Sequence, residues 1–137
     1  MQRIARVVLV SALAGFALLA APPQPAAAAI SFAGTWSVSG TMVRGNFAGK
    51  VSPVCVFRQS GDVVSGTCRG PNGVGSAAGT VNANRILFAW HSIRTNAIGV
   101  TGTETFHGAL GGDGVIRGTW TFSTLPGVTG TFTAIRA

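Results

Sequence analysis

The stretch VCVFRQSGDVVSGTCR, Val54 to Arg69, holds the chain's only two cysteines and predicts a β-hairpin. Counting outward from a two-residue turn at Gly61-Asp62 sets Cys55 directly opposite Cys68. This register makes them a non-hydrogen-bonded pair, in which Cβ atoms come near the ~3.8 Å separation that a disulfide requires. We therefore predict a Cys55–Cys68 disulfide, and two buried free thiols are the alternative.

The predicted disulfide is interpreted as structural. A redox-active pair requires closer spacing in the sequence and surroundings that lower the thiol pKa, and this stretch shows neither. A disulfide that closes a loop of this length stabilises the folded state by roughly 3 kcal/mol. The stabilisation is smaller where a hairpin already holds the two cysteines close together. Disulfides persist in oxidising compartments, so the pair also predicts a secreted or periplasmic protein.

The first residues of the chain are typical of a secretory signal peptide. Arg3 and Arg6 precede an apolar run from Val7 to Ala21, and small residues follow it. We expect cleavage after Ala28 or Ala29. The alternative is an uncleaved anchor, but the run is shorter than the ~20 residues that span a bilayer.

Residues 1–29 are therefore interpreted as signal peptide and residues 30–137 as a single domain. That domain keeps eight of the ten basic residues and all three acidic ones, a net charge of +5. No stretch after the signal shows apolar residues at helical spacing, whereas period-two alternation recurs throughout. Eight strands are predicted, at residues 33–42, 54–60, 63–69, 77–82, 85–93, 100–110, 115–123 and 128–135.

A Gly-Thr dipeptide recurs seven times along these strands. Period-two alternation places every glycine of these pairs on the apolar face and every threonine on the other face. Glycines facing the interior allow a small sheet to coil tightly and leave room for aromatic rings opposite them. The outward face also carries Arg58, Arg69, Arg85, Arg117, His91 and His107.

Eight sequential strands joined by short turns predict an eight-stranded up-and-down antiparallel β-barrel, closed by pairing of the first and last strands. A β-sandwich is the alternative, although it usually requires longer crossovers. An outer-membrane barrel would be apolar outside and polar inside, which is the reverse of this pattern. Eight strands enclose room for packed side chains or for one small ligand.

The residues that could support catalysis are few. Asp62 and Asp113 lie in predicted turns, so Glu104 is the only acid on a strand. His91 and His107 point outward and several residues out of register, so we expect neither a shared metal ion nor any cofactor. No Ser-His-acid arrangement stands out. The chain is therefore predicted not to be an enzyme.

A small-molecule site is the more specific hypothesis for the interior. Alternation places Glu104 inside the barrel beside Phe106, as a polar group in an apolar lining. We name Trp36, Trp90, Glu104, Phe106 and Trp120 as ligand-binding candidates. The alternatives are that Glu104 reaches water at the barrel mouth and that the tryptophans only pack the core.

The opening Gly34-Thr35-Trp36 resembles the glycine-x-tryptophan that begins barrels of the calycin group, which includes lipocalins, avidins and bacterial metalloprotease inhibitors. Ala89-Trp90 and Thr119-Trp120 are similar to the tryptophan-bearing strands of the avidins. The resemblance covers the layout of most of residues 30–137 and implies a secreted barrel with an internal ligand. The avidin biotin site uses a tyrosine and this chain has none, so biotin is not expected. No segment matches the reactive segment of the inhibitors.

Two functions follow as hypotheses. The first is a secreted, non-enzymatic barrel that binds a small apolar or amphipathic ligand in its interior. The second is a protein-interaction barrel, a protease inhibitor or cell-envelope-associated factor, acting through loops and a basic surface attracted to acidic envelope components. Exposed aromatic residues for base stacking are missing, which argues against nucleic acid as the partner.

Overall fold

The computed structural model of the protein describes residues 20–24, 30–44, 47–71, 73–92, 102–123 and 127–137, without the side chains of residues 43–49 and 92. Residues 20–24 are exposed and form no regular structure. The rest of the predicted signal peptide and its cleavage site lie outside the described residues. None of the described residues belongs to a helix that is long and apolar enough to cross a membrane.

The described chain forms nine antiparallel strand segments of a single sheet. Segments that follow one another in the sequence are paired, with one exception. The segment β3 pairs with β1 and not with β2, so that β1 lies between β2 and β3. The segments are β1 Gly34–Arg44, β2 Phe47–Val51, β3 Val54–Ser60, β4 Val63–Gly70, β5 Gly73–Asn82, β6 Arg85–Ser92, β7 Gly102–Leu110, β8 Ile116–Phe122 and β9 Thr129–Arg136.

The sheet closes on itself because β1 also pairs with β9, over eight residue pairs that run from Trp36↔Arg136 to Val43↔Thr129. This confirms the predicted up-and-down barrel and its closure by the first and last strands. The alternating faces are confirmed as well. The residues predicted to face inward are buried or partly buried, and the arginines and histidines of the opposite face are exposed.

The segment β2 is not among the predicted strands, because Arg44-Gly45-Asn46 indicates an irregular region and the second predicted strand begins only at Val54. In the structure β2 and β3 continue one another along β1 in a single register, with Gly40↔Val51 followed by Ser37↔Val54. Pro53 interrupts the ladder because it has no N–H to donate. Its carbonyl oxygen still accepts a hydrogen bond from the Val38 N–H at 2.9 Å. The wall therefore consists of eight strands, one of them broken.

The hairpin formed by β3 and β4 has the predicted register, from Ser60↔Val63 at the turn to Cys55↔Cys68. A disulfide joins Cys55 and Cys68, whose Cα atoms lie 4.0 Å apart, and both residues are fully buried. Buried disulfides are typical of proteins that fold in oxidising compartments.

One connection differs in detail from the sequence prediction. The strand β5 begins at Gly73 rather than Ala77, because Gly70 pairs with Gly73 and the turn between them is short. Three residues form the β7–β8 turn: the Gly111 N–H donates to the Val115 carbonyl at 2.9 Å, and Gly114 has φ +77°.

Aromatic rings fill the middle of the barrel. Phe88 and Phe106 stack with their ring centroids 4.6 Å apart, and Phe57 meets Phe88 edge-on at 5.0 Å. Phe132 meets Phe106 edge-on at 5.2 Å, and Trp120 lies 6.3 Å away on its other side. Offset and edge-to-face contacts of this kind are the favoured geometries of aromatic pairs. The centre of the interior is therefore packed by side chains.

Inward glycines make this packing possible. A Cβ placed on Gly66, Gly79 or Gly118 would collide with a backbone carbonyl oxygen of the neighbouring strand. Gly66 lies opposite Phe57 and Gly79 opposite Phe88, so the close backbone approach occurs where rings need room. These three glycines of the Gly-Thr repeat thus lie where the neighbouring strand is too close for a side chain.

Candidate functional site

The candidate site lies at the end of the barrel where β6 ends and β7 begins. Trp90 on β6 is paired with Glu104 on β7, and both side chains point inward. The same row continues to Ala77 on β5 and to Phe122 on β8. Glu104 is thus flanked by apolar side chains from both sides, and it is the one buried acid among the described residues.

Glu104 is only 5% exposed, so it does not reach water at the barrel mouth as one interpretation of the sequence allowed. Burial raises the pKa of its carboxyl group from the ordinary 4.5 to about 7, because an apolar environment disfavours the charged form. Its Oε2 atom is buried and has no hydrogen-bond partner among the described residues. Buried polar atoms are nearly always paired with protein or water, so this oxygen requires an explanation.

Trp90 also has a buried polar atom without a hydrogen-bond partner, and in this residue the atom is a donor. Its indole Nε1 is buried without an acceptor among the described residues. The other two tryptophans are satisfied: Trp36 donates to the Phe32 carbonyl at 2.8 Å, and Trp120 donates to the Thr41 carbonyl at 3.3 Å. Because a buried indole N–H usually finds a partner, Trp90 differs from its two counterparts in a way that points to a missing acceptor.

The opposite end of the barrel is closed by the segment that precedes β1. Phe32 is fully buried and its N–H donates to Gln59 Oε1 at 2.7 Å. The Arg136 guanidinium donates to the Ser31 and Ala33 carbonyls, each at 2.6 Å, and lies over the Trp36 ring at 4.6 Å. The polar groups that line this closure are therefore paired, in contrast to those at the Trp90 end.

The structure divides the predicted ligand-binding residues into three groups. Trp90 and Glu104 lie together as cross-strand partners. Phe106 and Trp120 lie together in the central aromatic stack. Trp36 is buried beside Phe32 and is hydrogen-bonded to its carbonyl. All five side chains are buried inside the barrel, where Trp90 pairs with Glu104 and Phe106 pairs with Trp120.

Sequence reasoning missed the closing role of Phe32 and the exact neighbours of Glu104. The period-two series Phe32, Gly34, Trp36 continues upstream of the predicted first strand and was sufficient to place Phe32 inside. The pairing of Glu104 with Phe122 depends on the length of the β7–β8 turn. The pairing of Trp90 with Glu104 could not be derived from a local turn pattern, because nine residues of sequence separate β6 from β7.

The outer surface carries the remaining ionisable groups. The Arg117 guanidinium and the Asp113 carboxylate form an exposed ion pair at 2.7 Å, and this hydrogen bond lowers the pKa of Asp113 to about 2. His91 is exposed and its Nδ1 lies 2.8 Å from the Thr103 hydroxyl. No cluster of three potential metal-binding side chains occurs within the part of the chain that the structure describes.

No protein-family model and no curated protein matches this chain. The functional inference therefore depends on the chemistry of its own residues, and above all on the buried pair Trp90 and Glu104.

Proposed function

We propose that the protein is a non-enzymatic barrel that binds a small amphipathic ligand at the Trp90–Glu104 end of its interior. One observation carries this proposal: a buried donor, Trp90 Nε1, and a buried acceptor, Glu104 Oε2, lie on paired residues and lack partners among the described residues. Leaving a buried polar atom unsatisfied costs about 1–3 kcal/mol. A bound molecule that pairs with both atoms removes this cost.

The surroundings of the pair suit the apolar part of such a ligand. Ala77 and Phe122 flank it in the same row, and the aromatic stack begins one row further in, at Phe88 and Phe106. Small-molecule sites commonly combine an apolar lining with a few polar groups that fix orientation. Because the rings of the stack occupy the middle of the barrel, the ligand is confined to this end and is therefore small.

We also propose that the protein is exported from the cytoplasm. The charged and apolar pattern of residues 1–29 supports export by a signal peptide, and the buried disulfide supports a secreted or periplasmic location. The closed eight-stranded barrel and its opening Gly34-Thr35-Trp36 support a relationship to the calycin barrels, many of which carry ligands inside.

Tryptophan fluorescence tests the proposal directly. The purified protein is titrated with a panel of small neutral aromatic and aliphatic compounds while the emission is followed. We expect a saturable shift with at least one compound and its loss in Trp90→Phe, whose fold is checked by near-UV circular dichroism. The proposal fails if no compound gives a saturable change at millimolar concentration, or if Trp90→Phe responds as the wild type does.

A second candidate function is supported by one feature of the outer wall. Val54 and Val56 on β3 and Val74 on β5 are exposed and line one groove, with Arg69 of β4 between them. Exposed apolar residues beside a cation suit a protein or envelope partner that is itself apolar and acidic. This face supports the alternative of an interaction barrel that acts through its surface.

Retention on an immobilised acidic polysaccharide distinguishes this alternative. A surface role predicts salt-sensitive retention that weakens in Arg69→Ala and Val56→Ser, whereas Trp90→Phe is retained like the wild type. Equal elution of all four proteins at low salt contradicts a surface role of this kind.

A further inference from the structure

The two buried atoms without partners at the Trp90–Glu104 end are of opposite type, and this restricts the head group of the ligand. An indole N–H can only donate, and an ionised carboxylate can only accept. They lie on residues paired across β6 and β7, whose Cβ atoms are about 4.5–5.5 Å apart in such pairs, and we infer that one head group can contact both atoms. The best head group therefore presents an acceptor and a donor on neighbouring atoms.

Three simple head groups differ in how they meet this requirement. An ammonium group satisfies the Glu104 carboxylate but has no acceptor for Trp90 Nε1. A carboxylate group accepts from Trp90 but repels the ionised Glu104. A carboxamide offers its carbonyl oxygen to Trp90 and its N–H to Glu104, so both buried atoms are satisfied together.

We propose that the ligand carries an uncharged carboxamide or equivalent donor–acceptor head group, held between Trp90 Nε1 and the Glu104 carboxylate. This inference rests on the proposed function, which it deepens by naming the chemical class of the ligand. Among the described residues, the neighbours of the pair in this row are Ala77 of β5 and Phe122 of β8, and neither carries a charge. An uncharged head group also avoids placing a second negative charge beside the ionised Glu104 in an apolar interior.

The pKa of Glu104, raised by burial to about 7, is consistent with this arrangement. At pH 8 most of the carboxyl groups are ionised and accept a hydrogen bond from an amide N–H. A protonated carboxyl can still accept that bond at its carbonyl oxygen and can donate its own proton to the amide oxygen. Amide binding is thus compatible with both protonation states, whereas carboxylate binding is compatible only with the protonated one.

Benzamide, benzylamine and benzoate share one ring and differ in the head group, so they test the assignment. Binding to the purified protein is measured at pH 8 by calorimetry, together with the indole N–H signals in proton–nitrogen correlation spectra. We expect benzamide to bind about tenfold more tightly than the other two, since each of them leaves a buried atom unsatisfied. Benzamide is expected to shift the Trp90 indole signal and to leave that of Trp36 in place.

Two variants test whether Trp90 and Glu104 cause the preference for benzamide. Trp90→Phe removes the donor and Glu104→Leu removes the acceptor, and each is expected to abolish the preference for benzamide over benzylamine and benzoate. The wild-type spectrum provides the control for folding, because the Trp36 and Trp120 signals must persist in Glu104→Leu.

The outcomes separate this inference from the proposed function. If a probe shifts the Trp90 signal but benzamide shows no advantage, or the advantage survives in Glu104→Leu, the head-group assignment is wrong and interior binding stands. If no compound of the fluorescence panel and none of the three probes binds, and Trp90 Nε1 contacts only an ordered water, both the assignment and the proposed function are wrong.

Discussion

Trp90 and Glu104 face each other across β6 and β7, and each contributes one buried polar atom that lacks a partner among the described residues. The large majority of buried polar atoms in proteins have a hydrogen-bond partner, and here an unpaired donor and an unpaired acceptor occur on paired residues. The remaining tryptophans are hydrogen-bonded to backbone carbonyls. Among the described residues, the buried polar side-chain atoms without partners therefore lie at one end of the barrel, the end that we assign to ligand binding.

The first prediction concerns the pH dependence of stability. The folded state raises the pKa of Glu104 from 4.5 to about 7, so between these values it binds more protons than the unfolded chain does. Stability is therefore highest at low pH within this range and falls as the pH rises from about 4.5 through 7. The full loss is on the order of 3 kcal/mol. Urea unfolding at pH 5 and pH 8 measures it.

The control for this prediction is Glu104→Gln, which cannot ionise and is expected to show a much smaller difference between the two pH values. The ion pair of Asp113 and Arg117 does not interfere, because Asp113, whose pKa is about 2, stays ionised throughout this range. A parallel loss of stability in wild type and variant would show that Glu104 does not cause the trend.

The second prediction concerns the disulfide. The Cys55–Cys68 bond closes a loop with a sequence separation of 13 between neighbouring strands. We expect the double variant Cys55→Ala, Cys68→Ala to lose about 2–3 kcal/mol in urea unfolding and to remain folded. Reduction of the wild type with dithiothreitol in denaturant is expected to reproduce the shift. A midpoint that is unchanged in both experiments would contradict a stabilising role.

The third prediction concerns the inward glycines. In Gly79→Ala the added Cβ would collide with the backbone of Leu87 and Phe88, so strand β5 must move away from β6. We expect a loss of about 1–3 kcal/mol, as for other overpacked sites. Gly112→Ala is the matched control, since nothing lies within 4 Å of its Cβ position and its φ is not positive. Equal stability of the two variants would refute the packing role given to the repeat.

The fourth prediction concerns the closed end. Phe32 is fully buried before β1 begins, whereas Ile30, two residues earlier, is exposed. We expect Phe32→Ala to cost about 3–5 kcal/mol, as for other buried phenylalanines, and Ile30→Ala to change stability by less than about 0.5 kcal/mol. Thermal unfolding of both variants provides the measurement. Similar midpoints for the two variants would mean that Phe32 does not close the barrel.

The sequence predicted the parts of this fold that depend on local rules. Alternation assigned the faces, and the Gly61-Asp62 turn set the register that joins Cys55 to Cys68. The broken strand escaped prediction because Pro53 interrupts the pattern while the pairing with β1 continues through its carbonyl group. Inward placement of Trp90 and Glu104 was also predictable. Their direct pairing was not, since a register that no short turn fixes is decided by the packing of the whole barrel.

The most direct test of the central claim is the response of the Trp90 indole signal to a library of small fragments in proton–nitrogen correlation spectra. The account predicts that some fragments shift this signal in a saturable manner while the Trp36 signal stays in place. It also predicts that Glu104→Leu removes the preference for fragments with a carboxamide or equivalent donor–acceptor head group. A Trp90 signal that remains fixed with every fragment at millimolar concentration, in a protein whose Trp36 and Trp120 signals show it folded, would contradict it.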